Sequence, residues 1–519
     1  MNKGILLQLI ILNASLYFSF GQPLQLEKVG TDQVYFTYQG KPLLSFGGMS
    51  DFIFYAAEDA FDYKKWADWQ KEHGMNHCRA YLPGSWTYVE KFTKENGGSL
   101  ENVLFPFQET EPGSRQFDLT KFDERYWQRF REQCEYLESQ GIILDLLMWN
   151  GWQLSNYNEE VARQDWNGHF LNPVNNINPC TDLLETAKDK EARLKIYHTV
   201  DDGNTALLNI QKAYYEKIIE VTHDLDNIYY ELVHEIAINY SDWPKTSNWI
   251  KEMAETVRNK WQEYNPDRPI ILAIDGGHLA GYPFNQGGGY PQAGSEMDWV
   301  FSRPYFDVIV DGNHHHTGNI REWVRKYKRP YVAQESRDDS GQTWSYRIPE
   351  SRTHLRKYVW KMMMAKCQQI DIYTKPQPYF LPFEKRHGPS NNYDPNGWNG
   401  FEQDALLIRQ FFDGLDDYSN LDHVGYFWIS TVGHNLVLSS STEIVAYISS
   451  PTGLENMDFG ERGAHVFLYD LPFPDGEYTA AFFDPKSGPC GSKRIEIKEG
   501  VTKFRTTQFV DDIAVHIKR

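Results

Sequence analysis

Between Leu43 and Phe412 the chain switches repeatedly between two hydrophobic periods. Short runs rich in Val, Ile, Leu and Tyr, buried on both faces by their composition, alternate with longer stretches whose apolar residues recur every three or four positions. The short runs predict strands at Leu43–Phe46, Asn76–Leu82, Ile143–Trp149, Asn227–Glu235, Ile270–Ile274, Phe306–Val310, Tyr331–Gln334 and Ile370–Tyr373. The longer ones predict helices at Asp62–His73, Phe122–Ser139, Ala206–Leu225, Trp249–Tyr264, Ile320–Tyr327, His354–Gln368 and Phe401–Phe412. In the second helix Tyr126, Phe130, Cys134 and Leu137 fall on one stripe, and Gly141 closes it. Before the first strand, Val34 to Tyr38 alternate and Gln39-Gly40 turns, the pattern of a hairpin. Eight strands alternating with helices, preceded by a short hairpin, predict a (β/α)8 barrel better than an open sheet.

Around Leu415–His423 the alternation stops. YFWIS, LVLSS, EIVAYISS, AHVFLYD, GEYTAAFFDP, KRIEIKEG and DIAVHIK are short strands separated by the turn signals PTG, PFPDG and KSGPCG, which suits a small antiparallel β-sandwich. The expected division is a barrel with its hairpin over 23–422 and a sandwich over 423–519. The links Pro83–Asp118, Gly151–Thr205, Asp275–Tyr305 and Lys375–Gly400 are long and follow strand ends, so they predict a walled cleft on one face of the barrel.

Residues 1–22 stand apart. Lys3 precedes the apolar run ILLQLIILNASLYF, which ends in small and polar residues near Gly21 and Gln22, the pattern of a cleaved signal peptide. Secretion or a periplasmic location is therefore expected. No later run is long and apolar enough to insert in a membrane.

Composition narrows the function classes. The 519 residues, 41% hydrophobic and 24% charged, describe a globular chain. A net charge of −19 with no basic run argues against nucleic acid as a partner. The five cysteines show no paired spacing, so the core must supply most of the stability.

Two glutamates end strands. Glu235 closes NIYYELVHE and Glu335 follows RPYVAQ, about 100 residues on, close to the roughly 93 that three βα units of a barrel occupy. An isolated strand-end glutamate is ordinarily a solvated carboxylate or half of an ion pair. Two of them across a barrel mouth suit glycosidic bond cleavage, which needs one protonated and one ionised carboxyl. Glu231, deeper in the same strand, is an alternative acid.

Together with Arg79 in NHCRAYLPG, at the end of the second strand, these residues resemble glycoside hydrolase clan A, whose members are retaining (β/α)8 enzymes. The whole length is also similar to family 5-like and apiosidase-like secreted bacterial enzymes, in which such a barrel precedes a small β-sandwich. The resemblance implies Glu235 as general acid/base, Glu335 as nucleophile, and Arg79 holding the nucleophile ionised. It implies no cofactor and no metal. One position departs from the pattern: where the clan has Asn before the acid/base, binding the sugar 2-hydroxyl, this chain has His234. Histidine also hydrogen-bonds hydroxyls.

Other substrate-binding candidates lie at strand ends. Trp149 and Trp152 flank Asn150 after the third strand; aromatic rings there either pack or stack on sugar faces. Trp86, Trp344 and Trp398 lie on other rim loops. In DGNHHHTG, His314 or His315 is placed to reach the nucleophile or the sugar. Three look-alikes are set aside: HEIAI lacks the second histidine of a metalloprotease helix, the triple histidine has no carboxylate or cysteine at ligand spacing, and CGSKR lies among sandwich strands. The expected function is cleavage of plant or algal polysaccharides or their oligosaccharides. A carbohydrate-binding protein that kept the barrel without catalysis is the alternative. Oligomeric state is unread.

Overall fold

A computed structural model describes residues 22–29, 33–48, 53–55, 57–155, 165–184, 193–234, 236, 242–275, 301–311, 317–334, 352–372, 401–431, 433, 435–450, 458–459 and 463–519. The expected leader lies outside them, apart from Gln22. Among the described residues no helix is long and apolar enough to cross a membrane.

The chain begins with a three-stranded antiparallel sheet of β1 (Gln25–Val29), β2 (Gln33–Tyr38) and β3 (Lys41–Pro42). The sequence pattern had shown only β2 and its turn, because β1 (QLEKV) is half-exposed and carries little periodicity. At the turn, Gln39 and Gly40 take positive φ of 53° and 74°.

Eight parallel strands follow: β4 (Ser45–Gly48), β5 (His77–Tyr81), β8 (Ile143–Leu147), β9 (Ile228–Glu231), β10 (Leu272–Ala273), β11 (Ile309–Asp311), β12 (Tyr331–Ala333) and β13 (Gln369–Ile372). Between β5 and β8 the chain inserts an antiparallel pair, β6 (Phe107–Glu109) and β7 (Phe117–Phe122). The parallel strands form two sheets, β5-β8-β9-β10 and β11-β12-β13-β4. At one junction Asp275 bridges Val310 in parallel, and at the other the Asn76 amide donates to the Phe46 carbonyl at 3.0 Å. Spatial order thus follows chain order and the last strand lies beside the first.

Helices connect the strands because their apolar stripes need the outer face of the sheets. In the helix Glu124–Ser139, Asp123 caps the first turn by accepting from the Arg125 amide, and Tyr126, Trp127, Phe130, Cys134 and Leu137 are buried. Burying such side chains stabilises by roughly 1.5–3 kcal/mol each. Phe130, edge-on to Phe54 at 4.7 Å, is the residue whose truncation would loosen this contact most, by roughly 3–5 kcal/mol. The helix Trp243–Tyr264 starts six residues before its expected limit, with Pro244 in the first turn, where a missing N–H costs nothing.

The inside of the parallel sheets is layered. At the amino ends of the strands Ile143, Tyr229, Ile271, Val308 and Val332 form an apolar layer. Leu24, Phe36 and Leu43 of the first sheet plug it from below, Phe36 lying 5.4 Å from the Tyr229 ring. Gln368 fastens the plug, accepting from the Phe36 amide at 2.8 Å and donating to the Val34 carbonyl at 2.7 Å. With that end closed, the carboxyl ends of the strands are left for chemistry.

The C-terminal part holds β14 (Asp422–His423), β15 (Phe427–Ile429), β16 (Asn435–Ser439), β17 (Glu443–Ser449), β18 (His465–Leu468), β19 (Gly476–Asp484), β20 (Gly488–Ile497), β21 (Thr502–Arg505) and β22 (Asp512–Lys518). They form two antiparallel sheets, β14-β16-β17-β22-β19-β20 and β15-β18-β21. The KSGPCG stretch is only partly a turn. Gly488 (φ 89°) and Gly491 (φ 141°) let β20 begin inside it, opposite an irregular register at Phe482/Phe483. Strand β17 buries both faces. Ile444, Ala446 and Ile448 enter the core between the two sheets, while Val445 and Tyr447 join the core that reaches the parallel half. There the Tyr447 ring stacks on Trp360 at 5.1 Å and 6°. A strand buried on both faces marks where one half of the molecule leans on the other.

Candidate active site

Four of the parallel strands carry one buried Arg, Asp or Glu: Arg79 in HCRAY, Asp145 in ILDLL, Glu231 in IYYE and Asp371 in QIDI. All four are fully buried. Register explains their meeting, since Arg79 pairs with Asp145 across β5 and β8 and Glu231 sits beside Leu147 across β8 and β9.

Arg79 is the centre. Its Nη2 lies 2.7 Å from His234 Nδ1 and 3.5 Å from Glu231 Oε1; Nε is 3.7 Å from Asp145 and Nη1 4.0 Å from Asp371. Nη1 also donates to the Tyr81 hydroxyl at 3.0 Å. Burial works against its charge, but Tyr81, Glu231, Asp371 and Asp145 outweigh that and hold the guanidinium pKa above its ordinary value. Asp145 moves the other way: burial first, then the Glu231 charge, raise its carboxyl well above the usual range against the pull of Arg79.

An arginine only donates, so Nδ1 of His234 accepts and the ring carries its proton on Nε2. The imidazole is packed against the Tyr81 ring at 5.3 Å and is nearly covered. His234 Nδ1 also stands 3.3 Å from Asp275 Oδ2 and 3.7 Å from Glu231 Oε1. Glu231, His234 and Asp275 bring donor atoms within 4.8 Å of one another, a spacing that suits a metal ion. Arg79 already supplies the cation there, in contact with both His234 and Glu231, so the residues do not fit a metal as arranged.

Gln334, the residue after β12, reaches across the interior and donates to Glu231 Oε2 and, at 3.4 Å, to Asp145 Oδ2. Sequence reading singled out Arg79, His234 and Asn150, and the structure groups them. The Asn150 backbone bridges His234 in parallel, the His234 amide donates to the Trp149 carbonyl at 3.0 Å, and Asn150 Nδ2 donates to the Tyr55 hydroxyl at 3.3 Å. Trp149 is chiefly a packing residue: its face lies on Tyr215 at 6.3 Å and 13°, and it is 9% exposed. Trp152 opens the short helix Trp152–Ser155, but its side chain lies outside the described residues, as do Glu235, Glu335, His314 and His315. Trp344 and Trp398 lie outside them too. Asp145, Asp371, Asp275 and Gln334 were missed. The signal was one Arg, Asp or Glu inside a short strand, repeated in four strands.

No protein-family model matches the sequence, and no curated protein matches it. Solved structures do. A glycoside hydrolase aligns with a TM-score of 0.57 at 11% identity over 96% of this chain and 97% of its own. A glycoside hydrolase family 5 protein from Bacteroides vulgatus gives 0.57 at 11% over 95% and 93%, and a putative glycoside hydrolase from the same organism 0.54 at 11% over 96% and 83%. At this identity the likeness is one of fold, shared along nearly the whole chain, and it spans both the parallel and the antiparallel halves.

Proposed function

We propose that the chain is an exported retaining glycoside hydrolase on a closed (β/α)8 barrel, with a C-terminal sandwich that braces it. The observation that carries this reading is the convergence on Glu231. His234 and Gln334, the residues directly before Glu235 and Glu335, both contact its carboxylate, at 3.7 Å from His234 Nδ1 to Oε1 and by the Gln334 amide to Oε2. The residues directly before the two candidate glutamates thus meet at one carboxylate. The full-length likeness to glycoside hydrolases of this fold supports the same reading.

In this mechanism Glu335 attacks the anomeric carbon while Glu235 protonates the departing glycosidic oxygen, leaving a glycosyl ester on Glu335. Glu235, now ionised, takes a proton from water, whose oxygen breaks the ester with net retention. Arg79, charged and buried below, stabilises the negative charge around the strand ends. His234 presents Nε2–H where the related enzymes present an amide, so it acts as a donor to a substrate oxygen. The apolar run at residues 1–22 supports export, and plant or algal glycans are the expected substrates.

The test is hydrolysis of a panel of aryl glycosides by Glu335→Ala and Glu235→Ala. Each should lower turnover at least about a hundredfold, and a 2-fluoro-sugar should label Glu335. If neither substitution reduced turnover, the non-catalytic carbohydrate-binding alternative would stand. A label on another residue would overturn the nucleophile alone.

A further inference from the structure

The C-terminal sandwich has two outer faces, and they are spent differently. The large sheet turns Val445, Tyr447, Phe483 and Ala514 into the core that reaches the parallel half. The small sheet, β15-β18-β21, sends Ile429, Val466, Leu468 and Phe504 into the core between the two sheets, so its other face looks away from the parallel half. That face is built in cross-strand rows. Trp428 stands opposite Phe467, which stands opposite Lys503, and in the next row His465 faces Arg505. One row the other way, the Tyr469 amide donates to the Tyr426 carbonyl at 3.2 Å, which sets those two side by side.

A sheet face turned to solvent is ordinarily polar. Here Tyr426 is 69% exposed, Trp428 52% and Tyr469 39%, and Val501, just before β21, is exposed beside them. Four of the nine large apolar residues exposed among the described residues thus fall on one small face, where scattered ones would need no explanation. The Trp428 and Phe467 rings meet edge to face at 5.2 Å and 65°, and His465 lies along Phe467 at 6.5 Å and 28°. Rows two residues apart along a strand are separated by roughly 6.6 Å, so rings in two rows reach two neighbouring sugars. Charge is sorted as well. The outward positions of the three strands hold Lys503, Arg505 and His465 and no carboxylate, although the chain as a whole carries −19. Both permanent cations sit on β21, an edge strand, beside the rings and not among them.

We propose that this face is a second binding surface, one that holds a uronic-acid-bearing polysaccharide: the aromatic rings take the C–H faces of the pyranoses, and Lys503 and Arg505 take their carboxylates. A uronate fits the layout because its carboxylate projects from the edge of the sugar ring, so a sugar face lies on Trp428 while the charge meets β21. A second copy of the chain fits less well. Three strands roughly 4.8 Å apart and five residues of about 3.3 Å each make a face of only roughly 14 by 17 Å, far below the ~800 Å² per partner of a stable protein interface. Binding there holds the chain on its polymer without occupying the candidate active site. That the partner is a glycan rests on the glycosidase reading; the surface itself does not.

The test is binding by the full chain, with Glu335→Ala run in parallel so that hydrolysis does not consume the polymer. Affinity electrophoresis would compare polygalacturonate with its methyl ester, and glucuronoxylan with its carboxyl-reduced form, at low and high salt. At least one acidic polymer should bind about tenfold more tightly than its neutral partner, and salt should narrow the gap. Trp428→Ala should weaken that binding about tenfold or more, and Lys503→Glu should bring the acidic and neutral forms to within about threefold. Both side chains are exposed, so the variants should fold and keep turnover of a small aryl glycoside within about twofold. No preference within either pair, a preference that survives both substitutions, tighter binding of a sulfated galactan than of either acidic polymer, or self-association that Trp428→Ala abolishes would overturn the proposal. A chain that binds without hydrolysing any aryl glycoside sinks the glycosidase reading alone, and one that hydrolyses without binding sinks the surface alone.

Discussion

Arg79 and Arg356 are both fully buried, one inside the parallel strands and one where the two halves meet, and their surroundings differ in kind. Arg356 grips Asp512 with Nε and Nη2 at 3.0 and 2.8 Å and reaches Asp404 with Nη1 at 3.2 Å, while the Tyr447 hydroxyl completes Asp512 at 2.9 Å. Each charge there has close, well-directed partners. Around Arg79 the carboxylates stand off at 3.5 to 4.0 Å, and the close contacts are uncharged, the His234 ring nitrogen at 2.7 Å and the Tyr81 hydroxyl at 3.0 Å. A bidentate, closed pair is what holding two elements together requires. A cation ringed by carboxylates it does not grip instead sets the electrostatic level of a site, at a cost in stability.

The sharpest way to break this contrast is to remove each cation. Arg356→Ala leaves Asp512 buried without its cation, while Asp404 keeps Arg352 at 2.6 and 2.9 Å, and should cost roughly 3–5 kcal/mol of unfolding free energy. Hydrolysis by the folded protein at 25 °C should stay within about twofold, because nothing in the cluster around Arg79 is touched. Urea unfolding with parallel rate measurements checks both. A loss below about 1 kcal/mol would mean that the pair is no brace.

Arg79→Met should do the reverse. We expect turnover to fall about 10²- to 10³-fold, since the charge that stabilises the strand ends is gone. Stability should fall less than in Arg356→Ala, because burial and neighbouring charge already favour protonated Asp145, and crowded carboxyls can take up protons in place of the cation. Steady-state kinetics and thermal unfolding on the same preparation would decide. Unchanged turnover with a large loss of stability would make Arg79 a structural residue like Arg356.

How much of this was legible in the chain depends on what kind of signal each residue leaves. The eight parallel strands lie within a few residues of the apolar runs, because strands covered on both faces have no polar alternation to confuse. The segment Pro83–Asp118 looked like one loop, yet it holds the helix Trp86–Glu95, the strand β6 and the start of β7. Phe105, Phe107 and Phe117 there pack on Phe170, a partner far along the chain, and no local period announces such a contact. In the site, His234 and Asn150 were visible after strand ends, and Arg79, expected at the end of its strand, lies in the middle of β5. Asp145, Asp371 and Gln334 were not visible, since a single polar residue within a strand reads as noise until register brings several to one depth. Trp149, an aromatic at a strand end that sequence left open between packing and stacking on a sugar, has Tyr215 stacked on it at 6.3 Å.

Acid sharpens the comparison between halves. In the parallel half His77 and His169 are both pushed down to about 3, His77 by burial and then by Arg79, His169 by burial alone. Their folded pKa values lie below the unfolded value near 6.5, so the unfolded chain binds more protons as pH falls from about 6.5 to about 3. Stability should drop across that window by at most roughly 1.4 kcal/mol per pH unit for each ring. In the antiparallel half Glu443 feels an upward push from burial, which His516 and the Asp417 and Asp416 amides overcome, holding it below its ordinary range. Its contribution is present above the unfolded carboxylate pKa and is lost only as pH falls through the lower folded value. Urea unfolding at pH 7 and pH 5 should therefore show a loss that His169→Gln makes shallower and Glu443→Gln leaves unchanged in slope.

The smallest change has the most specific outcome. His234→Asn replaces an imidazole held by Arg79 with the amide of the clan A pattern that the sequence resembles. The asparagine can present either its oxygen or its nitrogen, but it is shorter than histidine and so gives up part of the 2.7 Å contact to Nη2. We expect a change of less than about tenfold in kcat/KM on the preferred aryl glycoside, roughly 1 kcal/mol, with most of it in KM if the donor acts on ground state and transition state alike. The ranking of sugars should alter more than the best rate, since Nε2–H and an amide reach different distances into the cleft. Rates for aryl glycosides differing only at the 2-position would show it. A uniform loss across all of them, with no reordering, would place His234 with Arg79 as a support of charge and remove it from substrate choice.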